Sequence, residues 1–372
     1  LRGVYVHLPF CPYICPYCDF AKWRVDGPTA REYLEALAAE LELTPRLEAQ
    51  TLFLGGGTPN TYSGRELADL TERLREHFGI PEGAEATIEA NPDPALCREL
   101  GVIRAAGINR ISFGVQSFEP AELRVLGRRH TPADVAAAVE AARRAGFENV
   151  SLDLIFGIPG QTEASWRRSL ERAVSLGVEH ISTYGLTIEE GTPYATWFGR
   201  DPGAFLDEAT EAVLYGVASE VLEAAGFEHY EISNFARPGK RSLHNANYWA
   251  NGEYVGLGVG ASSYLNGRRS THTRDLREYL AAARERRPIP GESEELTGAA
   301  RLGEATMLAL RTREGVDVQA FGKRYGFDFL RHYRPVIDEL SSLGVLHVDP
   351  THVRLTERGR LVANDVARAF LA

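Results

Sequence analysis

The chain has 372 residues, 44% hydrophobic and 25% charged, enough for two or three domains whose cores need neither disulfides nor metal to fold. A net charge of −10 opposes non-specific nucleic-acid binding, which needs a positive surface. No window approaches 18 uninterrupted apolar residues and no signal-peptide pattern opens the chain, so membrane spanning and secretion are not expected and a cytoplasmic location is.

The first residue is leucine, so the numbering is expected to begin inside a longer chain. Short β-rich runs at 3–8, 51–54, 85–89, 109–115, 149–155 and 180–186 alternate with stretches of 3.6-residue periodicity, among them 31–43, 65–78, 132–145 and 163–176. Gly79, Gly101, Gly107, Gly146 and Gly177 fall where helices should stop. Six β–α units in a row predict a parallel sheet with right-handed crossovers. An incomplete (βα)6 barrel is the expected fold class, and a doubly wound open sheet is its competitor. After 187 the rhythm fails. A helix near 204–225 leads into 226–267, rich in Gly, Asn, Ser and aromatics and too long for an ordinary loop. Within it, Gly256-Leu257-Gly258-Val259-Gly260 has the wrong glycine spacing for a dinucleotide loop and is expected to mark a tight backbone approach. Residues 288–295 look like a linker. Beyond them, helices near 296–311, 318–325 and 328–343 and a hairpin at 345–348 and 353–355 predict a smaller winged-helix-like domain. Its 11 basic against 9 acidic residues from 297 onward favour packing over DNA binding. The expected domains are therefore 1–187, 188–287 and 288–372.

The stretch most informative about chemistry is Cys11-Pro12-Tyr13-Ile14-Cys15-Pro16-Tyr17-Cys18, a C-x3-C-x2-C just past the first strand. Three thiols within eight residues suit a metal centre in a reducing compartment better than disulfides. Soft thiolates favour an iron–sulfur cluster or zinc, and a zinc site would need a fourth ligand from His7, Asp19 or Cys97. Cys97 itself is expected to be an inert buried thiol. The other strand ends carry Gly55-Gly56-Gly57-Thr58, Glu89-Ala90-Asn91-Pro92, Gln116, Asp153 and Tyr184-Gly185. Ligands bind at the C-terminal ends of parallel strands, so polar groups there read as one rim, although each alone could cap the next helix.

The cysteine spacing resembles the radical S-adenosylmethionine (SAM) superfamily. The resemblance implies a [4Fe–4S] cluster on Cys11, Cys15 and Cys18, with SAM on the fourth iron and one electron cleaving it to methionine and a 5′-deoxyadenosyl radical. It further implies SAM contacts from Tyr5, Tyr17, Gly56, Gly57, Thr58, Glu89, Gln116, Arg128 and Asp153. Among these, Glu89 and the glycine backbone would hold the amino-acid end, Arg128 the carboxylate, Asp153 the ribose side and Tyr17 the adenine.

Residues 5–10, Ile111-Ser112-Phe113-Gly114-Val115-Gln116-Ser117-Phe118 and 153–162 resemble the oxygen-independent coproporphyrinogen III oxidase family over nearly the whole chain. The oxidases carry a further cysteine two residues after the third, where this chain has Phe20, and a segment before the first strand, which this sequence lacks. Both departures count against decarboxylation. Instead, His244-Asn245-Ala246-Asn247-Tyr248-Trp249 matches the H-N-x-x-Y-W motif of the family's haem-chaperone branch. That resemblance implies haem binding through His244, Tyr248 and Trp249, with Arg237, Lys240 and Arg241 available to propionates, and delivery to an acceptor protein, membrane-associated acceptors included. It also implies an electron donor such as flavodoxin or ferredoxin, no nucleic acid, and a monomer or homodimer. Enzymatic turnover is left open. The competing functions are coproporphyrinogen III dehydrogenation and a zinc-stabilised binding module.

Overall fold

A computed structural model describes residues 1–371. Six strands run parallel and lie side by side in chain order: β1 (Arg2–Leu8), β2 (Thr51–Gly56), β3 (Glu85–Ala90), β4 (Arg110–Gln116), β5 (Val150–Phe156) and β6 (His180–Gly185). A doubly wound sheet reverses its strand order at a switch point. No reversal occurs between β1 and β6, so successive right-handed crossovers lay the helices on one face and curl the sheet. The fold is therefore the incomplete barrel.

The insert lengthens the sheet at both edges. Strand β7 (Glu228–Glu231) pairs antiparallel with β8 (Asn234–Ala236), which adds antiparallel to β6, while β9 (Glu253–Leu257) pairs parallel with β1 and leads to β10 (Ser262–Leu265) and β11 (Arg268–His272). The expected linker at 288–295 is instead β12 (Gly291–Glu295), paired with β11 over five residues. Every residue of β12 is exposed, so its sequence is polar on both faces and lacks the alternation that betrays a half-buried strand. At the Gly256–Gly260 run, a Cβ on Gly258 would strike the Tyr33 hydroxyl and the His7 carbonyl, and its N–H donates to Glu40 at 3.0 Å. The glycines there close the sheet onto its first helix, Gly27–Leu43.

Helices begin where the chain offers caps. Ser63 with Glu66, Thr131 with Asp134 and Thr162 with Ser165 each form reciprocal caps ahead of Gly64–His77, Pro132–Arg144 and Glu163–Ser175. The barrel core runs from Val4 to Ala283, with Trp166 fully buried and its Nε1 donating to the Leu214 carbonyl at 2.9 Å. Trp166→Ala should cost about 3–5 kcal/mol in urea unfolding, through lost area and an unfilled cavity. A second core, around Phe329, Tyr333, Val353 and Phe370, holds the C-terminal helices against a three-stranded sheet of Val316–Asp317, His352–Leu355 and Leu346–Val348. Backbone bonds from Ile232 to Arg311 and from Arg313 to Tyr230 tie this module to β7.

Candidate functional site

The parallel strands are buried along most of their length, and Gly56, Glu89, Gly114 and Gln116 near their C-terminal ends, with Asp153 at the middle of β5, are partly exposed. There a cavity of about 430 Å³ is lined by Cys11, Cys15, Cys18, Tyr17, Gly56, Gly57, Thr58, Glu89, Gln116, Arg128 and Asp153. Nine of these residues come from strand ends and the loops just beyond them, Asp153 is the middle residue of β5, and Arg128 reaches in from the loop after helix Pro120–Val125. Tyr5 is the exception. It lines two adjoining cavities instead, with its hydroxyl 2.9 Å from His7 Nδ1.

The cysteine loop is held by its neighbours. Lys22 donates to the Cys18 and Phe20 carbonyls at 2.6 and 3.1 Å, and Thr58 N–H donates to the Phe10 carbonyl at 2.9 Å. The triple glycine also permits tight packing of the loop. A Cβ on Gly57 would stand 2.7 Å from the Pro9 carbonyl carbon, and Gly56 (φ +107°) would strike the His7 ring. The glycines bring β2 against the cysteine loop, and their backbone faces the cavity.

All three cluster candidates are free thiols, and burial pushes Cys11 up to about 11 and raises Cys18. Among the described residues no three His, Cys, Asp or Glu side chains converge on one point, as a mononuclear ion requires. The three thiols ring a volume instead. None of the expected fourth zinc ligands is free: His7 bonds Tyr5 and the Ala21 carbonyl, Asp19 meets Arg274, and Cys97 is buried below Asn91, outside the cavity.

Charges of both signs face the cavity. Glu89 accepts from the Gly56 N–H at 2.9 Å, and burial, with Asp153 nearby, pushes its carboxyl up to about 7. Asp153 is raised by burial and accepts from Ser112 at 3.1 Å. Opposite them, Arg128 donates to Asn91 Oδ1 at 2.6 Å and the Gly114 carbonyl at 2.5 Å, while its buried Nε has no partner. Asn91, which the sequence showed only as part of a strand end, is thus the bracket for this arginine. Gln116 has φ +70° next to an irregularity in the β4–β5 register, which swings its side chain toward the rim. Tyr17 packs with Leu126, Ile155 and Leu186 as an apolar wall. A buried carboxylate, a guanidinium and an apolar wall match a zwitterionic amino acid joined to a flat base.

The H-N-x-x-Y-W motif lies on the helix Leu243–Trp249. Here the geometry corrects the expected roles. His244 is 1% exposed, with Nδ1 2.9 Å from Thr51 Oγ1 and Nε2 2.8 Å from the Tyr248 hydroxyl, so neither nitrogen is open to iron. Burial, with Arg110 nearby, pulls its pKa down to about 3, and the imidazole is neutral. Arg237, Lys240 and Arg241 are likewise engaged elsewhere, with the Ala225 carbonyl, the Glu148 carbonyl and the Glu228 and Glu314 carboxylates. Tyr248 and Trp249, by contrast, line a larger cleft of about 680 Å³ between the sheet extension and the C-terminal module, together with Tyr254, Tyr264, Arg269 and Arg274. Phe20, 63% exposed, borders this cleft, the cysteine cavity and a polar chamber of about 230 Å³ between them. Sequence reasoning missed Tyr254, Tyr264 and the two arginines because they sit on β9 to β11 and the loop after, whose pairing partners are remote in the chain.

Residues 5–173 match the Radical SAM superfamily, and residues 296–362 match the HemN C-terminal domain. The chain is 36% identical to the heme chaperone HemW of Bacillus subtilis over all of this chain and 99% of that protein. It is 32% identical to HemW of Escherichia coli over all of this chain and 98% of the relative. The structure superposes on the coproporphyrinogen III oxidase HemN of Escherichia coli with a TM-score of 0.86 at 23% identity, covering 99% of this chain and 89% of that one, a likeness of fold. No helix among the described residues is long and apolar enough to cross a membrane. With relatives this similar along its entire length, the chain belongs to the HemW family of radical SAM proteins.

Proposed function

We propose that this protein binds haem and passes it to an acceptor protein, using a scaffold that also carries a [4Fe–4S] cluster and SAM. The observation that carries the reading is the aromatic cleft beside the cysteine cavity. Tyr248, Trp249, Tyr254, Tyr264 and Phe20 offer flat faces to a porphyrin, and the two arginines of the cleft, Arg269 paired with Glu294 and Glu304 and Arg274 paired with Asp19, would exchange those carboxylates for propionates. The cleft opens to solvent between two modules, which suits a cargo that must leave again.

In the neighbouring cavity Cys11, Cys15 and Cys18 would hold the cluster, and Glu89, Arg128, Gln116, Asp153 and Tyr17 would hold SAM. When bound, these groups supply one-electron reductive chemistry, and an electron donor of the flavodoxin or ferredoxin class is the implied partner. The chain's own residues do the binding work there. Glu89 takes an ammonium, Arg128 a carboxylate through its guanidinium charge, and the Tyr17 wall excludes water from the base. Three reduced thiols fit a cytoplasmic setting.

Anaerobic cluster reconstitution followed by haem titration tests the proposal. A saturable Soret band at one haem per chain is the expected result, with no conversion of coproporphyrinogen III to protoporphyrinogen IX under SAM and reductant. Turnover without stoichiometric haem uptake would return the protein to the dehydrogenases.

A further inference from the structure

We infer that the iron-facing ligand in the aromatic cleft is the phenolic oxygen of Tyr248, and that His244 is a positioning residue behind it. This rests on the haem reading above. It reassigns the two polar residues of the motif from the geometry of their contacts.

A histidine binds iron through an unprotonated, accessible ring nitrogen. His244 has none to offer, being enclosed by Thr51 and Tyr248 at its nitrogens and by Phe53, whose ring centroid lies 5.1 Å away. Below it, a Cβ on Gly3 would stand 2.9 Å from the ring, so the imidazole has no room to swing that way. Tyr248 follows His244 by four residues and shares its helix face. It is half-buried and borders both the polar chamber and the cleft.

Hydrogen bonding separates Tyr248 from Tyr5, the other tyrosine of the cleft that pairs with a histidine. Tyr5 also pairs with a histidine, His7, whose Nε2 must donate to the Ala21 carbonyl at 2.7 Å. That fixes His7 Nδ1 as an acceptor and commits the Tyr5 proton to it, so a Tyr5 phenolate would face a lone pair. His244 is under no such constraint. Its Nδ1 partner is the Thr51 hydroxyl, which can donate, leaving Nε2–H to donate to the Tyr248 oxygen. A phenolate that accepts such a bond and binds ferric iron keeps its charge compensated. In the binding step the Tyr248 O–H bond breaks, the Fe–O bond forms, the proton leaves through the open cleft, and the iron remains ferric.

The test titrates ferric haem into the whole chain and records absorption and resonance Raman spectra. Wild type is expected to show an iron–phenolate vibration. Tyr248→Phe should lose it and bind haem at least tenfold more weakly, while Tyr5→Phe and Tyr254→Phe keep it. His244→Gln, which retains an N–H donor, should preserve the spectrum better than His244→Ala. The assignment is overturned if wild type shows imidazole ligation that disappears in His244→Gln, or if Tyr254→Phe rather than Tyr248→Phe abolishes the signal. Because the wild-type vibration is read directly, a misfolded variant would not rescue the idea. Absence of any haem binding by wild type overturns the haem reading itself, and this inference with it.

Discussion

Cys15→Ala is expected to reduce the iron content of the reconstituted protein from about four atoms per chain to well below one. The three thiols are the only sulfur donors lining the cavity, and each would serve a different corner of a cubane. Removing one leaves an iron exposed to water in a site where no other side chain substitutes: His7 is doubly bonded and Asp19 is paired with Arg274. Cys97→Ala is the matched control. Its thiol is buried, donates to the Asn91 carbonyl at 3.7 Å and is pushed up to about 12 by burial, so it is neither accessible nor a thiolate. That variant should keep its iron and lose about 1 kcal/mol of stability. The aromatic cleft contains no cysteine, so Cys15→Ala should still bind haem within roughly threefold of wild type. Non-haem iron and haem measured on the same samples check the iron and haem expectations, and urea unfolding of Cys97→Ala checks its stability. Parallel loss of both from Cys15→Ala would show that the two cavities act as one.

The first half of the chain was legible because its signals are local. Each barrel strand is a largely buried run with a polar residue or glycine among its last four positions, and the helices at 64–77, 132–144 and 163–175 open on caps, so both periods and their punctuation appear within a short window. The cysteine spacing and the rim followed from the same locality, since strand ends mark the ligand side of a parallel sheet. What escaped depends on pairing at a distance. Strand β12 is polar on both faces and is a strand only because β11 lies beside it. The cleft draws residues from β1, the helix Leu243–Trp249, β9 to β11 and the helix Gly298–Leu310, so no window of sequence contains it. His244 shows a further limit. A motif states which residue types recur, but only the contacts with Thr51 and Tyr248 show that the imidazole faces inward.

Glu89→Gln is expected to weaken SAM binding by about 3 kcal/mol, roughly a hundredfold, because it removes the anionic half of a desolvated charge pair. Glu89 lies one residue before the end of strand β3, takes one hydrogen bond from the Gly56 N–H, and has no cation bonded to it. Burial and the neighbouring Asp153 therefore push its carboxyl up to about 7, although Arg110 offsets part of that rise. An ammonium group in the cavity would supply the missing cation and favour the ionised form, lowering that pKa. The sign follows directly. Above about pH 7 the free site is already ionised and affinity is flat. Below it, a proton must leave before the ammonium binds, so affinity should fall about tenfold per pH unit. Glutamine has the same shape and no proton to lose, so its binding should be weak and nearly independent of pH between 5.5 and 7. Equilibrium dialysis of SAM across that range, on wild type and Glu89→Gln, measures both the offset and the slope. A wild-type slope that survives in Glu89→Gln would move the titrating group to Asp153, the other raised carboxyl facing the same cavity.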